Sequence, residues 1–164
     1  MIVVEPTSDA RTGPEPAPAS FAEFYAARHA GTVRQVALMV GSVAAAEDLV
    51  HDAFIEMYHR WDRISNPGGY LYRCVSRAAI RHLERGNRFT GEVHDGPAPV
   101  PSIEFVEVAD ALGRLTHQQR VAVVLRYYAD LTEAQMADAL GRQPGSIGPL
   151  LSRARAVLRE ELRG

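Results

Sequence analysis

Apolar residues recur along the chain at the three- and four-residue spacing that places them on one side of an α-helix. The clearest case lies between Ser42 and about Trp61, where the apolar positions form one stripe: Leu49, Val50, Ala53, Phe54, Met57, Tyr58 and Trp61. The sequence shows no sustained apolar–polar alternation bounded by turn residues, which is the signal of a β-strand. The pattern predicts an all-α protein.

Helix-start and helix-stop signals divide the chain into separate helices. Serine, threonine and asparagine accept hydrogen bonds from the first free backbone N–H groups of a helix, and glycine often follows its last turn. These signals predict helices that begin at Ser20, at Thr32 (ending before Gly41), at Ser42, at Asn66-Pro67 (ending near Gly86), at Thr116 and at Thr132.

Composition and charge divide the chain into four segments. Residues 1–19 are proline-rich and predict a disordered tail, and residues 89–106 have the glycine, proline and acidic residues of a linker. Two helical blocks, 20–88 and 107–164, each hold more arginines than acidic residues. The net charge of −2 therefore averages two basic blocks with an acidic tail and linker. We predict two small helical domains joined by a flexible linker.

Several classes of protein are excluded by what the sequence lacks. No apolar run approaches the roughly 18 residues that a membrane-spanning helix needs, and the start lacks the features of a secretion signal. Cys74 is the single cysteine, and the six histidines show no metal-ligand spacing. No nucleophile motif or phosphate-binding loop is present. We predict a cytoplasmic protein that is not an enzyme, does not insert into a membrane and needs no cofactor or metal.

The helix predicted after Asn66 has arginine at every fourth position: Arg73, Arg77, Arg81 and Arg85. Residues four apart lie nearly above one another on a helix, with a drift of about 40° per step. In sequence, only Glu84 is close enough to neutralise them. Guanidinium groups in a row match a row of phosphates, and Tyr70 and Tyr72 could stack on unpaired bases. A solvated basic face is the alternative, and spacing alone does not separate the two.

The second block has the order of elements of a helix-turn-helix. A capped helix from Thr132 to Leu140 meets a turn at Gly141, and the next helix carries Arg153 and Arg155. An ordinary helical hairpin has the same order, so DNA binding is one of two interpretations.

A mixed face in the first block suggests a protein contact. Asp48, Asp52, Ile55 and His59 share the side of their helix opposite its apolar stripe. An outward isoleucine among acids is typical of an interface, although single exposed apolar residues are also normal.

Three motifs occur in the chain: Ala46-Glu47-Asp48-Leu49-Val50 with Phe54, Gln119-Arg120 before Leu125-Arg126-Tyr127-Tyr128, and Ser152-Arg153-Ala154-Arg155. In this order they resemble the extracytoplasmic-function (ECF) sigma factors, over about residues 20–162. The resemblance implies a region 2-like helical domain in 20–88 and a region 4-like helix-turn-helix domain in 107–164. It also implies a dissociable bacterial subunit that directs core RNA polymerase to promoters.

The resemblance assigns three contact surfaces. Docking on core RNA polymerase would use Asp48, Leu49, Asp52 and Ile55. The −10 element of promoter DNA would be bound by Tyr70, Tyr72, Arg73, Arg77, Arg81 and Arg85. The −35 element would be bound by Arg142, Ser146, Ser152, Arg153 and Arg155. An anti-sigma factor is a further candidate partner.

Some positions depart from the family's pattern. Arg77 stands where the family usually has asparagine, and Arg81 where it usually has aspartate. The −35 helix usually begins Gly-Thr-Val-Lys-Ser-Arg, but residues 145–150 are Gly-Ser-Ile-Gly-Pro-Leu. Pro149 inside a helix would cost about 3 kcal/mol or more, unless it opens a shorter helix that starts near Gly148.

These departures leave three functions open. The first is a sigma factor with an unusual promoter preference. The second is a sigma-like interaction protein that binds an anti-sigma factor or polymerase without contacting the −35 element. The third is a two-domain regulator that binds duplex DNA without core polymerase.

Overall fold

The structure is a computed structural model that describes residues 20–86 and 103–163 of the 164-residue chain. Helix is the only regular secondary structure in these ranges, which confirms the all-α prediction. The first helical unit comprises α1 (Phe21–Val40), α2 (Val43–Arg60), a 3-10 turn (Trp61–Arg63) and α3 (Pro67–Glu84). The second helical unit comprises α4 (Ile103–Leu112), α5 (His117–Tyr127), α6 (Glu133–Leu140), a 3-10 turn (Pro144–Ser146) and α7 (Ile147–Arg163).

Two predicted segments fall wholly or mostly outside the described residues. The predicted tail, 1–19, lies outside them, as do residues 89–102 of the predicted linker. The remaining linker residues belong to α4, which begins at Ile103. Helical structure in the second unit therefore starts four residues earlier than the composition indicates.

The prediction of separate helices before Gly41 is wrong, because α1 runs unbroken from Phe21 to Val40. Thr32 lies inside this helix, and its Oγ1 donates to the backbone oxygen of Arg28 at 2.7 Å. The hydroxyl is thus satisfied by its own helix and does not cap a new one. The helix ends at Gly41, whose φ of 75° is the left-handed conformation that favours glycine.

The other predicted helix starts are confirmed by their capping hydrogen bonds. The side chains of Ser42 and Asn66 accept from backbone N–H groups three residues further on, and Pro67 follows Asn66 in the first turn of α3. Thr116 with Gln119, and Thr132 with Gln135, form reciprocal capping boxes at the starts of α5 and α6.

The two helical units pack directly against each other. Helix α1 contacts α4 and α5, helix α3 contacts α5 and α6, and the buried apolar side chains form one continuous cluster. Polar contacts also join the units. Arg120 of α5 donates to the backbone oxygen of Met39 at 3.4 Å, and Gln35 of α1 donates to that of Tyr128 at 3.4 Å. Composition predicts the two units but gives no sign of this interface between them.

Pro149 lies in the first turn of α7, which begins at Ile147 and follows the 3-10 turn at Pro144–Ser146. Backbone N–H groups in a first helical turn have no partner within the helix, so a missing one costs little. The turn is anchored in the core by Ile147, Leu150 and Leu151. The large cost of a proline in a helix interior therefore does not arise.

Candidate polymerase and nucleic-acid interfaces

The arginine row of α3 lies on the solvent side of the helix. The opposite side is buried and consists of Leu71, Val75, Ser76, Ala79 and Leu83. Arg77 and Arg81 are exposed, Arg73 is half-buried, and Arg85 is the exposed C-cap residue. The structure thus brings the predicted arginines together along one face, as their spacing requires.

The two tyrosines predicted to flank this row lie on different sides of α3. Residues two apart on a helix are separated by about 160° around its axis, and both tyrosines are half-buried against the core. The hydroxyl of Tyr70 donates to Glu56 Oε1 of α2 at 2.9 Å. Burial and this hydrogen bond raise the pKa of Tyr70. Tyr70 lies on the side of the arginines, whereas Tyr72 lies on the side facing the core.

Arg73 is paired with a carboxylate that sequence spacing does not reveal. Its Nη2 lies 2.8 Å from Asp138 Oδ2 of α6, in the second helical unit. The hydrogen bond to Asp138, and then its charge, raise the pKa of Arg73. The two residues are 65 positions apart, so only the packing of α3 against α6 brings them together. The expectation that only Glu84 could neutralise the row is therefore wrong.

An open cleft lies between α3 and α6. Arg73 and Arg77 line it from α3, and Asp138 and Arg142 line it from the second unit. Asp138 is the one acidic residue among the described residues that line this cleft. A Cβ built on Gly141 would lie 3.6 Å from Nη2 of Arg77, so the end of α6 abuts that guanidinium.

The predicted polymerase-docking residues lie on α2, opposite its buried side. Asp48, Asp52 and Ile55 are exposed, and 44% of the surface of Ile55 is accessible. Leu49 is half-buried and packs against the core, so only part of its side chain is accessible at the margin of this face. The structure therefore brings two acids and one apolar side chain together on one solvent-facing surface.

Arg142 and Ser146 hold the turn of the helix-turn-helix together. Arg142 donates to Gln118 Oε1 at 2.8 Å and to Ser146 Oγ at 3.0 Å. Ser146 in turn donates to the backbone oxygen of Gln143 at 2.7 Å. Both side chains are half-buried. Their hydrogen bonds hold the turn that precedes α7 in place without any contact to DNA.

Ser152, Arg153 and Arg155 are exposed on α7. The two arginines are two positions apart, which separates them by about 160° around the helix. They therefore flank the exposed face on opposite sides. Arg155 also donates to the hydroxyl of Tyr127 at 3.1 Å, which orients its guanidinium.

Cys74 is half-buried on α3, with its Sγ 3.9 Å from Glu56 Oε2. Burial, and then the nearby Glu56 charge, raise the pKa of the thiol to about 11. A thiol with this pKa is protonated at neutral pH and is a poor nucleophile.

Residues 20–86 and 103–163 hold no group of three or more histidine, cysteine, aspartate or glutamate side chains placed to bind a metal. No helix within them combines the length and the apolar character that a membrane crossing requires.

Comparison with known proteins supports the resemblance found in the sequence. The profile of Sigma-70 region 2 matches residues 25–89, and that of Sigma-70, region 4 matches residues 105–158. The RNA polymerase sigma-E factor of Streptomyces avermitilis is 30% identical over 153 residues, which cover 87% of this chain and 84% of that protein. The probable RNA polymerase sigma factor RfaY of Xanthomonas campestris pv. campestris is 29% identical over 150 residues. That match covers 80% of this chain but 38% of the relative's length.

A solved structure shows the same fold. It is that of the sigma factor RpoE in complex with the anti-sigma factor NepR from Bartonella quintana, with a TM-score of 0.69 and 24% identity. The match covers 87% of this chain and 96% of that one.

The fold and its surfaces define a class of all-helical proteins with two units, one of which contains a helix-turn-helix. Together with the two region profiles and the Streptomyces relative, they show that the chain belongs to the ECF family of RNA polymerase sigma factors. Sigma factors are transcription initiation factors that bind core RNA polymerase and promoter DNA, and they are not enzymes. The predictions of fold and family are confirmed.

Proposed function

We propose that this sigma factor uses three separate surfaces to start transcription at specific promoters. The exposed face of α2 docks on core RNA polymerase, the arginine row of α3 binds the −10 element, and α7 contacts the −35 element. The observation that carries the proposal is the row of outward arginines on α3, opposite the buried side of a helix within the region 2 match.

The α2 face suits a protein partner. Asp48 and Asp52 supply negative charge, and Ile55 supplies an exposed apolar contact beside them. Apolar anchors surrounded by polar residues are typical of protein interfaces. We assign this face to core RNA polymerase.

The α3 row suits single-stranded or partly opened DNA. Arg77, Arg81 and Arg85 are exposed and can each pair with a phosphate oxygen. Tyr70 lies on the same side, and the bond of its hydroxyl to Glu56 fixes the orientation of its ring. Aromatic rings beside basic residues stack on unpaired bases, so we assign −10 binding to this surface, with Tyr72 behind it on the side of α3 that faces the core.

The α7 surface suits phosphate contacts better than base recognition. Arg153 and Arg155 flank the exposed face, where each can contact the backbone on one side of a groove. Between them lie Pro149, Ser152 and Ala156, and Ser152 offers a single hydroxyl to base edges. We therefore expect the −35 contacts to position the protein and to discriminate weakly among sequences, with Arg142 and Ser146 supporting the turn.

A second candidate function is a sigma-like protein that binds an anti-sigma factor or polymerase without contacting the −35 element. Gly148 and Pro149 favour it, because neither residue supplies the first turn of α7 with a long polar side chain. The complex of Bartonella RpoE with NepR also supports an anti-sigma partner for this chain. The proposal gives the protein no catalytic role, and it places the protein in the cytoplasm with bacterial RNA polymerase.

Run-off transcription with purified core RNA polymerase on a library of genomic promoter fragments tests the proposal. The expected result is at least one specific transcript that requires this protein, and that is lost when Arg77, Arg81 and Arg85 are all replaced by alanine. The triple variant should still bind core polymerase, because α2 is unchanged. If no fragment in the library gives a specific transcript, the proposal is overturned. Binding to core polymerase without transcription would favour the second candidate.

A further inference from the structure

The cleft between α3 and α6 is a concave basic surface that both helical units line. Its volume is about 570 Å³, and its charged lining residues are Arg73, Arg77, Asp138 and Arg142. Concave sites of this volume are typical of small-molecule binding. We propose that the cleft binds a small ligand with two linked phosphate groups, either a nucleotide or inorganic pyrophosphate. This site goes beyond the proposed function, which requires no small ligand.

Arg77 supplies one cation that has no competing partner. The residue is exposed, and within the part of the chain that the structure describes its guanidinium makes no hydrogen bond or ion pair. A Cβ built on Gly141 would lie 3.6 Å from Nη2 of Arg77, so this guanidinium reaches the backbone immediately before Arg142. Gly141 has a φ of 63°, the left-handed conformation that favours glycine, so this wall of the cleft carries no side chain.

Arg142 supplies a second cation, from the wall that the second helical unit forms. Its Nη1 donates to Gln118 Oε1 at 2.8 Å, and its Nε donates to Ser146 Oγ at 3.0 Å. Both acceptors are uncharged, so the positive charge of the guanidinium is not neutralised, and neither bond uses Nη2. A side chain that is already held in place loses little conformational entropy when it binds a ligand.

The positions of the two arginines indicate the kind of anion that fits the cleft. Guanidinium groups bind phosphate oxygens through paired N–H donors. Because Arg77 and Arg142 come from different elements, a ligand with two linked phosphates can pair with both at once, whereas a single phosphate favours one. Such a ligand would join α3 to the turn after α6. Arg81 and Arg85 lie further along α3 and do not line the cleft.

Asp138 limits the attraction of the cleft for anions. Its Oδ2 lies 2.8 Å from Nη2 of Arg73, so the two charges offset each other. The other two arginines leave the described lining of the cleft with an excess of positive charge. Removal of the carboxylate should end its repulsion of phosphate and release Arg73 to the ligand. The structure thus predicts a gain of affinity from one substitution, an effect that damage to the fold would not produce.

Isothermal titration calorimetry of the full chain with ADP, in magnesium-free buffer of low ionic strength, tests the proposal. Arg77→Gln should weaken ADP binding about five- to tenfold, because it removes a charge-assisted contact. Asp138→Asn should strengthen ADP binding about two- to fivefold, the range expected for an exposed charge. The matched control is Arg81→Gln, which removes the same charge one helical turn outside the cleft and should change the affinity less than about twofold. AMP, with its single phosphate, should bind the wild type at least about fivefold more weakly than ADP.

The absence of binding heat with both ADP and pyrophosphate would overturn the proposal. Equal losses in Arg77→Gln and Arg81→Gln would also overturn it, because they would show attraction to the whole row and no site in the cleft. The two sources of linked phosphates differ in the nucleoside, which can pack on the exposed Ala134 and Pro144. Tighter binding of ADP than of pyrophosphate would assign the site to a nucleotide, and equal affinities would assign it to the inorganic ion.

A ligand in the cleft would occupy Arg77, which the proposed function assigns to −10 DNA. ADP should therefore weaken the binding of a fluorescein-labelled single-stranded oligonucleotide to the wild type, measured by fluorescence anisotropy, and should have no such effect on Arg77→Gln. Run-off transcription separates the two proposals. ADP binding with the expected variant pattern but no promoter-specific transcript would support the cleft site and reject the proposed function. A specific transcript from a protein that binds neither ADP nor pyrophosphate would do the reverse.

Discussion

The side chain of Arg120 donates a hydrogen bond to the backbone oxygen of Met39 and so joins the second helical unit to the end of α1. The same guanidinium donates to Leu112 at 2.9 Å and to Leu115 at 3.1 Å, both through backbone oxygens. Only 3% of Arg120 is exposed, and burial lowers its pKa to about 10. One buried cation thus stabilises both the α4–α5 turn and the interface between the units.

Replacement of Arg120 by leucine should lower the free energy of unfolding by about 3 kcal/mol, because three backbone oxygens lose a charged donor in the interior. Urea denaturation followed by circular dichroism measures the change. The control is Arg114→Leu, which removes an exposed arginine that lies 3.6 Å from Glu161. That variant should lose less than about 1 kcal/mol. Equal losses in the two variants would contradict a structural role for Arg120.

The exposed arginines at the end of α3 should contribute to the salt dependence of promoter binding. Each phosphate contact contributes a slope of about −0.9 in a plot of log K against log salt for B-DNA, and less for single strands. Arg81→Ala and Arg85→Ala should each reduce the magnitude of the slope by about one unit in the complex with core polymerase. Filter binding at several salt concentrations measures the slope. Arg114→Ala, on the other unit, should leave it unchanged, and an unchanged slope in all three variants would place the row away from DNA.

A charge on the exposed face of α2 should weaken docking on polymerase. Ile55→Glu places a carboxylate where we expect an apolar contact, and Ile55 is already 44% exposed, so the fold should be unaffected. We expect co-purification with core polymerase to fall by at least about tenfold, since burying an unpaired charge costs more than 1.4 kcal/mol. Ala30→Glu adds the same charge at an exposed position on α1. Equal recovery of Ile55→Glu, Ala30→Glu and wild type would remove Ile55 from the interface.

A longer basic side chain at the start of α7 should strengthen DNA binding. A Cβ at Gly148 would lie 3.9 Å from Glu133 Oε1, which is ordinary contact distance, so the position accepts a side chain. Gly148→Lys should therefore increase the salt slope for duplex DNA by up to about one unit. Gly148→Ala is the matched control, because it adds the Cβ without the charge, and it should leave the slope unchanged. A slope shared by lysine and alanine variants would show that DNA does not approach this turn.

The thiol of Cys74 should react slowly with iodoacetamide near neutral pH and faster as the pH rises. The thiolate is the reactive species, and a pKa of about 11 in place of 9.0 lowers its fraction at pH 8 about a hundredfold. Alkylation of the native chain should be slower than that of the urea-unfolded chain by about this factor. Mass spectrometry of timed samples gives both rates. Identical rates would show that neither burial nor Glu56 protects the sulfur.

Local signals in the sequence predict most of the helices because each signal acts within a few residues. Ser42, Asn66, Thr116 and Thr132 satisfy backbone N–H groups three positions away, and such bonds need no partner from another element. The predicted helix start at Thr32 is wrong because a local side-chain hydrogen bond can also form in the middle of a helix. A threonine hydroxyl can bond to its own helix as well as cap a new one, and only packing decides between them.

The spacing of arginines predicts the face of α3 but not its partner. Arg77 and Arg81 follow from helical geometry, whereas Asp138 reaches Arg73 from an element 65 positions away. The hydrogen bond from Gln35 to the backbone oxygen of Tyr128 likewise depends on the packing of the two units. A single sequence records periodicity along each helix. The docking of one helix on another depends on the shapes of both surfaces together.

Two prolines lie at the entry to α7: Pro144 in the preceding 3-10 turn and Pro149 in the first turn of the helix. A proline that fits its native backbone stabilises a fold by about 0.4–1 kcal/mol, mainly because the unfolded chain has fewer conformations to lose. This segment therefore has few hydrogen-bonding side chains and a rigid backbone. The helix itself sets the separation of Arg153 and Arg155, and a rigid entry holds α7 in place against α6 before any phosphate arrives, so less entropy is lost when the arginines are engaged. Recognition by this helix would then depend on the shape of the DNA backbone, with little adjustment of the protein.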